Sequence, residues 1–260
     1  CVTGVQTCAL PIFYQQVTKT VGSIVLDNDR IEVHPLYGPL FAQALQGWDR
    51  KTINIALDTS MLWNTYCLVR ISLIYRGRAV PIVWQVFEHG SATIAYQDYQ
   101  ALLDQAAQLL FPFHCKVIFL ADRGFADTTL MDHLIELDWR FRIRIKENFY
   151  VYRPGKRGRQ VKNIRLAAGH TQFWHHVAIT HERFGNLHLA VGRTLQSKER
   201  RVVISDEPTS FETFDEYGLR FDIEENFLDD KSNGFQLESS QIRSAKALER
   251  LCFVLVVATL

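Results

Sequence analysis

Three strand-like segments open the patterned part of the chain. Ile53, Ile55 and Leu57 alternate with polar or small residues, which is the period-two pattern of a half-buried β-strand that ends at Asp58. Two runs rich in β-branched residues follow, at positions 66–75 and 79–86, and Gly77 between them marks a hairpin turn. Because the links between these segments are short, they are predicted to form an antiparallel meander.

The next segments alternate between helical and strand patterns. Apolar residues recur at helical spacing over 96–110 and 128–137, while Val117–Ala121 is a continuous apolar run typical of a strand buried on both faces. A further strand is predicted over Trp139–Lys146. Meander, helix, buried strand, helix and strand is the order of a ribonuclease-H-like α/β fold, a mixed sheet flanked by helices.

The remaining segments divide the chain into predicted regions. Residues 51–146 and 215–260 are assigned to the α/β domain, and 147–214, rich in basic residues, β-branched residues and turn signals, are predicted to be a mainly β insertion. Helical spacing over Leu36–Leu45 suggests that 13–50 is the remnant of a helical N-terminal region. Residues 1–12 resemble the translation of a sequencing adapter and are expected to be non-native. The helical pattern is still running at Leu260, so we expect the element to continue in a longer gene product.

Composition narrows the class of protein without identifying it. Hydrophobic residues make up 47% and charged residues 22% of the chain, and the formal net charge is +1, so any nucleic-acid signal must be local. The five cysteines are scattered without a CxxC pair, which indicates reduced thiols in a cytosolic protein and no zinc site. No apolar run reaches the length of a membrane span, so no membrane association is expected.

The segment Tyr217–Lys231 carries the strongest candidate chemistry. At 100° per residue, a helix beginning at Tyr217 places Tyr217, Arg220, Glu224 and Lys231 within about 60° of one another. An acid between two basic residues and a tyrosine suits a metal-binding carboxylate beside phosphate contacts. For this segment alone, a solvated amphipathic helix is the competing interpretation.

Two aspartates change that balance and introduce a family resemblance. The spacing Tyr217-x2-Arg220-x3-Glu224-x6-Lys231 resembles the Y-x2-R-x3-E-x6-K signature of the insertion-sequence-4 family of DDE transposases. Asp58 in ALDTS and Asp122 in LADRGF resemble its first and second catalytic aspartates. Taken singly, each could equally be a strand-end or turn residue, but if the strands ending at Asp58 and Asp122 lie parallel and adjacent, their tips are roughly 5 Å apart.

The resemblance implies a metal-dependent DNA enzyme. Asp58, Asp122 and Glu224 would be the catalytic acids and would hold two Mg²⁺ ions, with Mn²⁺ as a possible substitute; Asp58 would bridge the ions. Arg220 and Lys231 would hold phosphates, and Tyr217 would help to position the strand. The implied partners are transposon-end DNA and target DNA, bound by a homodimer. The implied setting is the bacterial cytoplasm, in association with the nucleoid.

Further DNA contacts are expected where basic residues concentrate. Ten Lys or Arg residues fall between Arg140 and Arg165 against one acid, Glu147. On a strand, Arg142, Arg144 and Lys146 point to the same face as Arg140, and such a face would be costly to bury and suited to a phosphate backbone. A solvated strand face with a basic loop is the alternative interpretation. Trp174 and the histidines of the insertion are expected to be packing or surface residues.

Three functions remain open from the sequence. The first is a cut-and-paste transposase that cleaves transposon ends and joins them to target DNA. The second is another ribonuclease-H-like nuclease, such as a junction resolvase, although the spacing of Arg220, Glu224 and Lys231 and the long insertion argue against it. The third is a truncated, inactive DNA-binding remnant. The end sequence, the target preference and the activity of this fragment do not follow from the residues.

Overall fold

Ten strands and six helices make up the regular structure of the described part of the chain. The structure is a computed structural model that describes residues 25–259 apart from 27, 29, 49, 197, 198 and 241. The predicted adapter-derived residues 1–12 lie outside the described residues. The strands are β1 Thr52–Leu62, β2 Tyr66–Tyr75, β3 Arg78–Glu88, β4 Lys116–Ala121, β5 Arg140–Arg144, β6 Tyr150–Tyr152, β7 Arg159–Gln160, β8 Thr171–Ile179, β9 Phe184–Gly192 and β10 Arg201–Ser205.

The helices flank this sheet. They are α1 Val33–Ala44, α2 Tyr96–Leu110, α3 Thr128–Glu136, α4 Glu212–Gly218, α5 Phe221–Leu228 and α6 Ala245–Thr259. Short 3₁₀ turns occupy Phe111–Phe113, Arg123–Phe125, Val161–Asn163 and Leu237–Ser240, and a π-helical turn follows α5 at Asp229–Asn233. None of the helices in the described ranges is long and apolar enough to cross a bilayer.

All ten strands belong to one mixed sheet, in the order β3-β2-β1-β4-β5-β10-β9-β8-β6-β7. The pairs β1–β4 and β4–β5 are parallel, and every other neighbouring pair in this order is antiparallel. The first five strands have the meander and crossovers expected from the sequence. The mixed α/β, ribonuclease-H-like fold is therefore confirmed.

The predicted hairpin between β2 and β3 is present, and its backbone explains the choice of glycine. Arg76 has φ 50° and Gly77 has φ 74°. Two consecutive residues with positive φ are the signature of a type I′ turn, whose twist matches that of the strands it joins. β2 and β3 then pair from Tyr75 and Arg78 through to Tyr66 and Glu88, with one bulge near Ile71.

The core lies on both faces of β1, β2 and β4. Every residue of β2 from Tyr66 to Ile74 is buried, including one charged residue, Arg70. α2 packs against β2 and β3, and α5 contacts β1, β2 and β3. The helix that bears Glu224 therefore rests on the strands that bear Asp58 and Arg70.

The extent of β1 and the pairing of the strands after β5 were not predicted. β1 does not end at Asp58 but continues to Leu62, because β2 goes on pairing with it as far as Leu62 and Tyr66 after β4 has ended. The segment predicted as an insertion continues the central sheet, since β10 pairs with β5 and β9 pairs with β10. The division into a catalytic domain and an insertion with bounds at 147 and 214 stays a prediction.

Candidate active site

Asp58 and Asp122 lie where two parallel strands stop pairing. The last paired residues of β1 and β4 are Leu57 and Ala121, so both aspartates follow directly from the same rung of the sheet. Neighbouring strands are about 4.8 Å apart. The predicted juxtaposition of the two acids arises from this register, although β1 itself runs on.

Glu224 reaches the same place through Arg220. The Arg220 guanidinium donates from Nη1 to Asp58 Oδ2 at 2.9 Å and from Nη2 to Glu224 Oε1 at 2.5 Å. Its side chain is 4% exposed, whereas the Glu224 side chain is 46% exposed. Asp58 and Glu224 thus share the Arg220 guanidinium, and Asp122 lies at the end of the adjoining strand.

The predicted continuous helix from Tyr217 to Lys231 is interrupted. α4 ends at Gly218 and α5 begins at Phe221, and the N–H groups of Leu219 and Arg220 bond to carbonyls three residues back. This 3₁₀-like tightening rotates the chain just before α5. Arg220 and Glu224 nevertheless keep their four-residue spacing and meet on one face.

Asp58 and Arg220 have shifted pKa values. Burial is the largest influence on Asp58 and raises its pKa to about 6; Arg220 and the Thr59 N–H oppose the rise, while Glu224 and Asp122 add to it. Burial lowers the pKa of Arg220, but Tyr217, Asp58 and Glu224 outweigh that effect, so its pKa is raised overall. The influence of Asp122 on Asp58 is further evidence that the acids occupy one electrostatic environment.

The other two residues of the predicted signature are Tyr217, which precedes Arg220 in sequence, and Lys231, which follows Glu224. Tyr217 is 1% exposed, its ring centre lies 5.8 Å from the Arg220 guanidinium carbon, and its hydroxyl is buried. Burial raises its pKa. Lys231 lies in the π-helical turn, is half-buried, and forms no ion pair with Asp58, Asp122 or Glu224 in the described part of the chain.

The donor set fits a hard divalent cation, with one condition. Asp122 Oδ1 is buried and has no hydrogen-bond partner among the described residues, and carboxylate oxygens are the ligands that Mg²⁺ and Mn²⁺ accept. Over the residues that the structure describes, no three His, Cys, Asp or Glu side chains are close enough together to hold a metal ion. Arg220 lies between Asp58 and Glu224, so an ion shared by these carboxylates requires Arg220 to leave at least one of them.

The predicted basic face of β5 is buried at one position and is partly or fully exposed at the others. Arg142 is buried, donates to Glu216 at 2.6 Å and to Glu207 at 2.9 Å, and bonds Ser205 at 2.9 Å. The expectation that this face would be too costly to bury is wrong at Arg142, because a carboxylate from the chain that follows β10 and another from α4 compensate the charge. Arg144 pairs with Glu199, and Lys146 is exposed.

A stronger basic surface lies at the far end of the sheet. A cavity of about 640 Å³ between residues 152–158 and the β8–β9 hairpin is lined by Arg153, Lys156, Arg157 and Arg183 and by no acid. Arg153 lies over the Trp174 ring at 4.4 Å, and Trp174 is buried, as the packing interpretation predicts. None of the four cations forms an ion pair with a described residue.

One charged network was missed in the sequence. Arg70 on β2 donates to Asn226 in α5 and to Asp230 in the π-helical turn, and its side chain is 1% exposed. A single arginine inside a run of apolar strand residues was the available signal. The sequence pattern did not show which acid, out of 28, would meet it.

Comparison with known proteins assigns the family. No curated protein matches the chain. Among solved structures, the catalytic domain of Mos1 mariner transposase is 16% identical with a TM-score of 0.25, and the same domain solved with raltegravir and Mn is 16% identical with a TM-score of 0.26; each alignment covers 44% of this chain and 60% of that domain. Marinitoga piezophila Argonaute, in complex with guide RNA and target DNA, is 12% identical with a TM-score of 0.27, over 70% of this chain and 26% of that protein. The Transposase DDE domain matches residues 64–260, which is more than half of the chain, so the protein belongs to that family.

Proposed function

We propose that the chain is the catalytic part of a cut-and-paste DNA transposase of the insertion-sequence-4 type. The observation that carries the proposal is the convergence of Asp58 and Asp122, which follow one rung of a parallel strand pair, with Glu224, tied to Asp58 through Arg220. The spacing of Tyr217, Arg220, Glu224 and Lys231 and the family match support it. The reaction would be hydrolysis at the element ends followed by attack of the freed 3′-hydroxyl on target DNA.

The three acids would hold two divalent ions, Mg²⁺ or its substitute Mn²⁺. Bound ions of this kind lower the pKa of water and stabilise the leaving oxygen of a phosphodiester. Asp58, which follows the same rung of the sheet as Asp122 and shares Arg220 with Glu224, would be one of the residues that hold these ions.

Arg220 has a second partner available in this proposal. Its guanidinium already lies between two carboxylates, and release from either one leaves its planar donors free for a phosphate oxygen. The Phe221 ring, 5.1 Å from the Arg220 guanidinium carbon, borders a cavity of about 640 Å³ that is also lined by Arg144 and Arg201.

The DNA partner would extend along the basic strands beyond β5. Exposed Lys146 and the cavity between residues 152–158 and the β8–β9 hairpin present positive charge on that side. Arg142 is left out of the proposed contact because its donors are bonded internally. Pairing of two element ends would require two copies of the chain, so a dimer on DNA is part of the proposal.

Glu224→Gln is the direct test. The change keeps the size and the hydrogen bond to Arg220 but removes the charge that an ion needs. With Mg²⁺ and DNA carrying the inverted repeats that flank the gene, we expect cleavage to fall at least 10³-fold and DNA affinity to stay within about twofold. The measurements are gel-based cleavage and fluorescence anisotropy.

The matched control is Glu225→Gln, an exposed acid one residue further along α5. It should leave both cleavage and binding unchanged. Equal loss of binding and cleavage in Glu224→Gln would argue against a metal-binding role for Glu224. Binding without cleavage by the wild-type chain would identify an inactive DNA-binding remnant.

A further inference from the structure

Arg70 connects the strand beside Asp58 to the helix that carries Glu224. Asp58 on β1 and Arg70 on β2 are direct partners in the antiparallel ladder, so their side chains project from the same face of the sheet. From there Arg70 Nη1 donates to Asn226 Oδ1 and to Asp230 Oδ2, both at 2.6 Å. One guanidinium thus contacts α5 two residues after Glu224 and also the turn that ends the helix.

The surroundings of Arg70 leave it little freedom. Its side chain is 1% exposed, that of Asp230 is 7% exposed, and the Phe227 ring centre lies 4.9 Å from the guanidinium carbon. Cys252 of α6, fully buried, lies against the same guanidinium, and burial raises the pKa of that thiol to about 12. A buried ion pair with bonds to fixed partners defines position more than it adds stability.

α5 is attached to the sheet at two places, and ion binding would release only one of them. Arg220 holds the start of α5 to Asp58, but it must leave a carboxylate for an ion to bind there. Asn226 and Asp230 lie beyond Glu224 along the chain, and Arg70 holds both of them from β2 through bonds that do not involve the three acids. They can therefore hold the helix in place while Arg220 changes partner.

We propose that Arg70 is a positioning residue that, through Asn226 and Asp230, fixes Glu224 relative to Asp58 for divalent-ion binding. The inference rests on the proposed function and deepens it. A metal site tolerates displacements of its ligands of only about 0.5 Å, so loss of the attachment should weaken ion binding even in a folded protein.

Arg70→Met/Asp230→Leu separates positioning from stability. Asp230→Leu alone leaves a buried unpaired charge and should lower the melting temperature, whereas replacing both partners with apolar residues should restore it. In the restored double variant we expect Mn²⁺ affinity, measured by electron paramagnetic resonance, to be about 10- to 100-fold weaker than in the wild type. DNA affinity should be unchanged, which a merely damaged fold would not allow.

The outcomes are distinguishable from one another. A double variant with the wild-type melting temperature and wild-type Mn²⁺ affinity would overturn the positioning role. If the double variant does not fold, Asn226→Ala, which removes one bond of Arg70 but keeps the ion pair, should still weaken Mn²⁺ binding several-fold, and unchanged affinity would overturn the proposal. Asp229→Leu, at an exposed neighbour of Asp230, is the control. If wild-type Mn²⁺ binding is absent or survives Asp58→Asn, the proposed function itself fails.

Discussion

Opposing effects on the side chain of Asp58 leave its pKa above the ordinary value, within about one unit of neutral pH. Burial and the neighbouring acids disfavour its charge, while Arg220 and the Thr59 N–H, 2.8 Å from Asp58 Oδ1, favour it. Its pKa of about 6 in the folded protein exceeds the ordinary 3.8. Carboxylates destined for cations are often held in such an environment, because a cation restores the charged form.

That pKa predicts a specific dependence of stability on pH. Because the folded protein binds the Asp58 proton more tightly than the unfolded chain, this group stabilises the fold most below pH 3.8, and the contribution is lost as pH rises from about 3.8 to about 6. Asp58→Asn removes the titration. Without divalent ions, the free energy of unfolding of Asp58→Asn minus that of the wild type should increase by about 2 kcal/mol between pH 4 and pH 7.

Urea denaturation of both proteins at each pH measures this difference, and other titrating groups cancel because they are common to both. Arg220 keeps an acceptor in the variant, since an asparagine oxygen can take the place of Asp58 Oδ2. A constant difference across this pH range would show that Asp58 has its ordinary pKa in the folded chain, and a decreasing one would show that the pKa is lowered; either result contradicts the prediction.

At the scale of elements, the strand β5 shows how a basic pattern can be internal. Alternation places Arg140, Arg142 and Arg144 on one face, and the sequence favoured a DNA contact for that face. The structure covers part of it with α4 and with the chain that follows β10, which supply Glu216 and Glu207 to Arg142. Arg140 is paired with Asp138 and Asp206.

Of two substitutions on β5, the one that costs more folding free energy should therefore cost less DNA affinity. Arg142→Met leaves two carboxylates without their buried partner and should cost about 3 kcal/mol of folding free energy, with little loss of DNA affinity. Arg144→Met removes a pair with the exposed Glu199 and should cost less than about 1 kcal/mol, but it should weaken DNA binding. Denaturation and anisotropy on the same two variants test the ranking, and identical ranking in both assays would reject it.

Local patterns predicted the elements better than their ends. α2 was predicted at its observed bounds, and the Gly77 turn was predicted from its residues, since period and turn chemistry are local properties. The end of β1 was wrong because it depends on which neighbour continues to pair. The interruption at Leu219 and Arg220 and the π-helical turn at Asp229–Asn233 depend on the contacts of Arg220 and Arg70, which come from residues more than 150 positions away.

At the scale of the whole molecule, one sheet carries both the acids and the basic cavity between residues 152–158 and the β8–β9 hairpin. The three acids could be assigned to one candidate site from the sequence, because motif spacing and the order of the strands can both be read along the chain. The distance between the acids and this cavity could not be predicted from the sequence, since it depends on β10, β9 and β8 continuing the sheet beyond β5. Four strand spacings from β4 to β8 correspond to about 19 Å, or about six base pairs of duplex DNA.

This distance leads to a prediction about salt dependence. Lys156 and Arg157 are exposed on the cavity and form no ion pair with a described residue, so each is available to a phosphate. For duplexes that extend more than about six base pairs past the cleavage position, Lys156→Ala/Arg157→Ala should make the negative slope of log affinity against log salt concentration less steep by about 2. For shorter duplexes the slope should change little. The control Arg76→Ala/Arg78→Ala removes the same charge at the turn joining β2 and β3, at the opposite edge of the sheet, and should leave the slope unchanged. Equal slopes for the two double variants would mean that net charge alone attracts the DNA, and that the cavity is no part of its path.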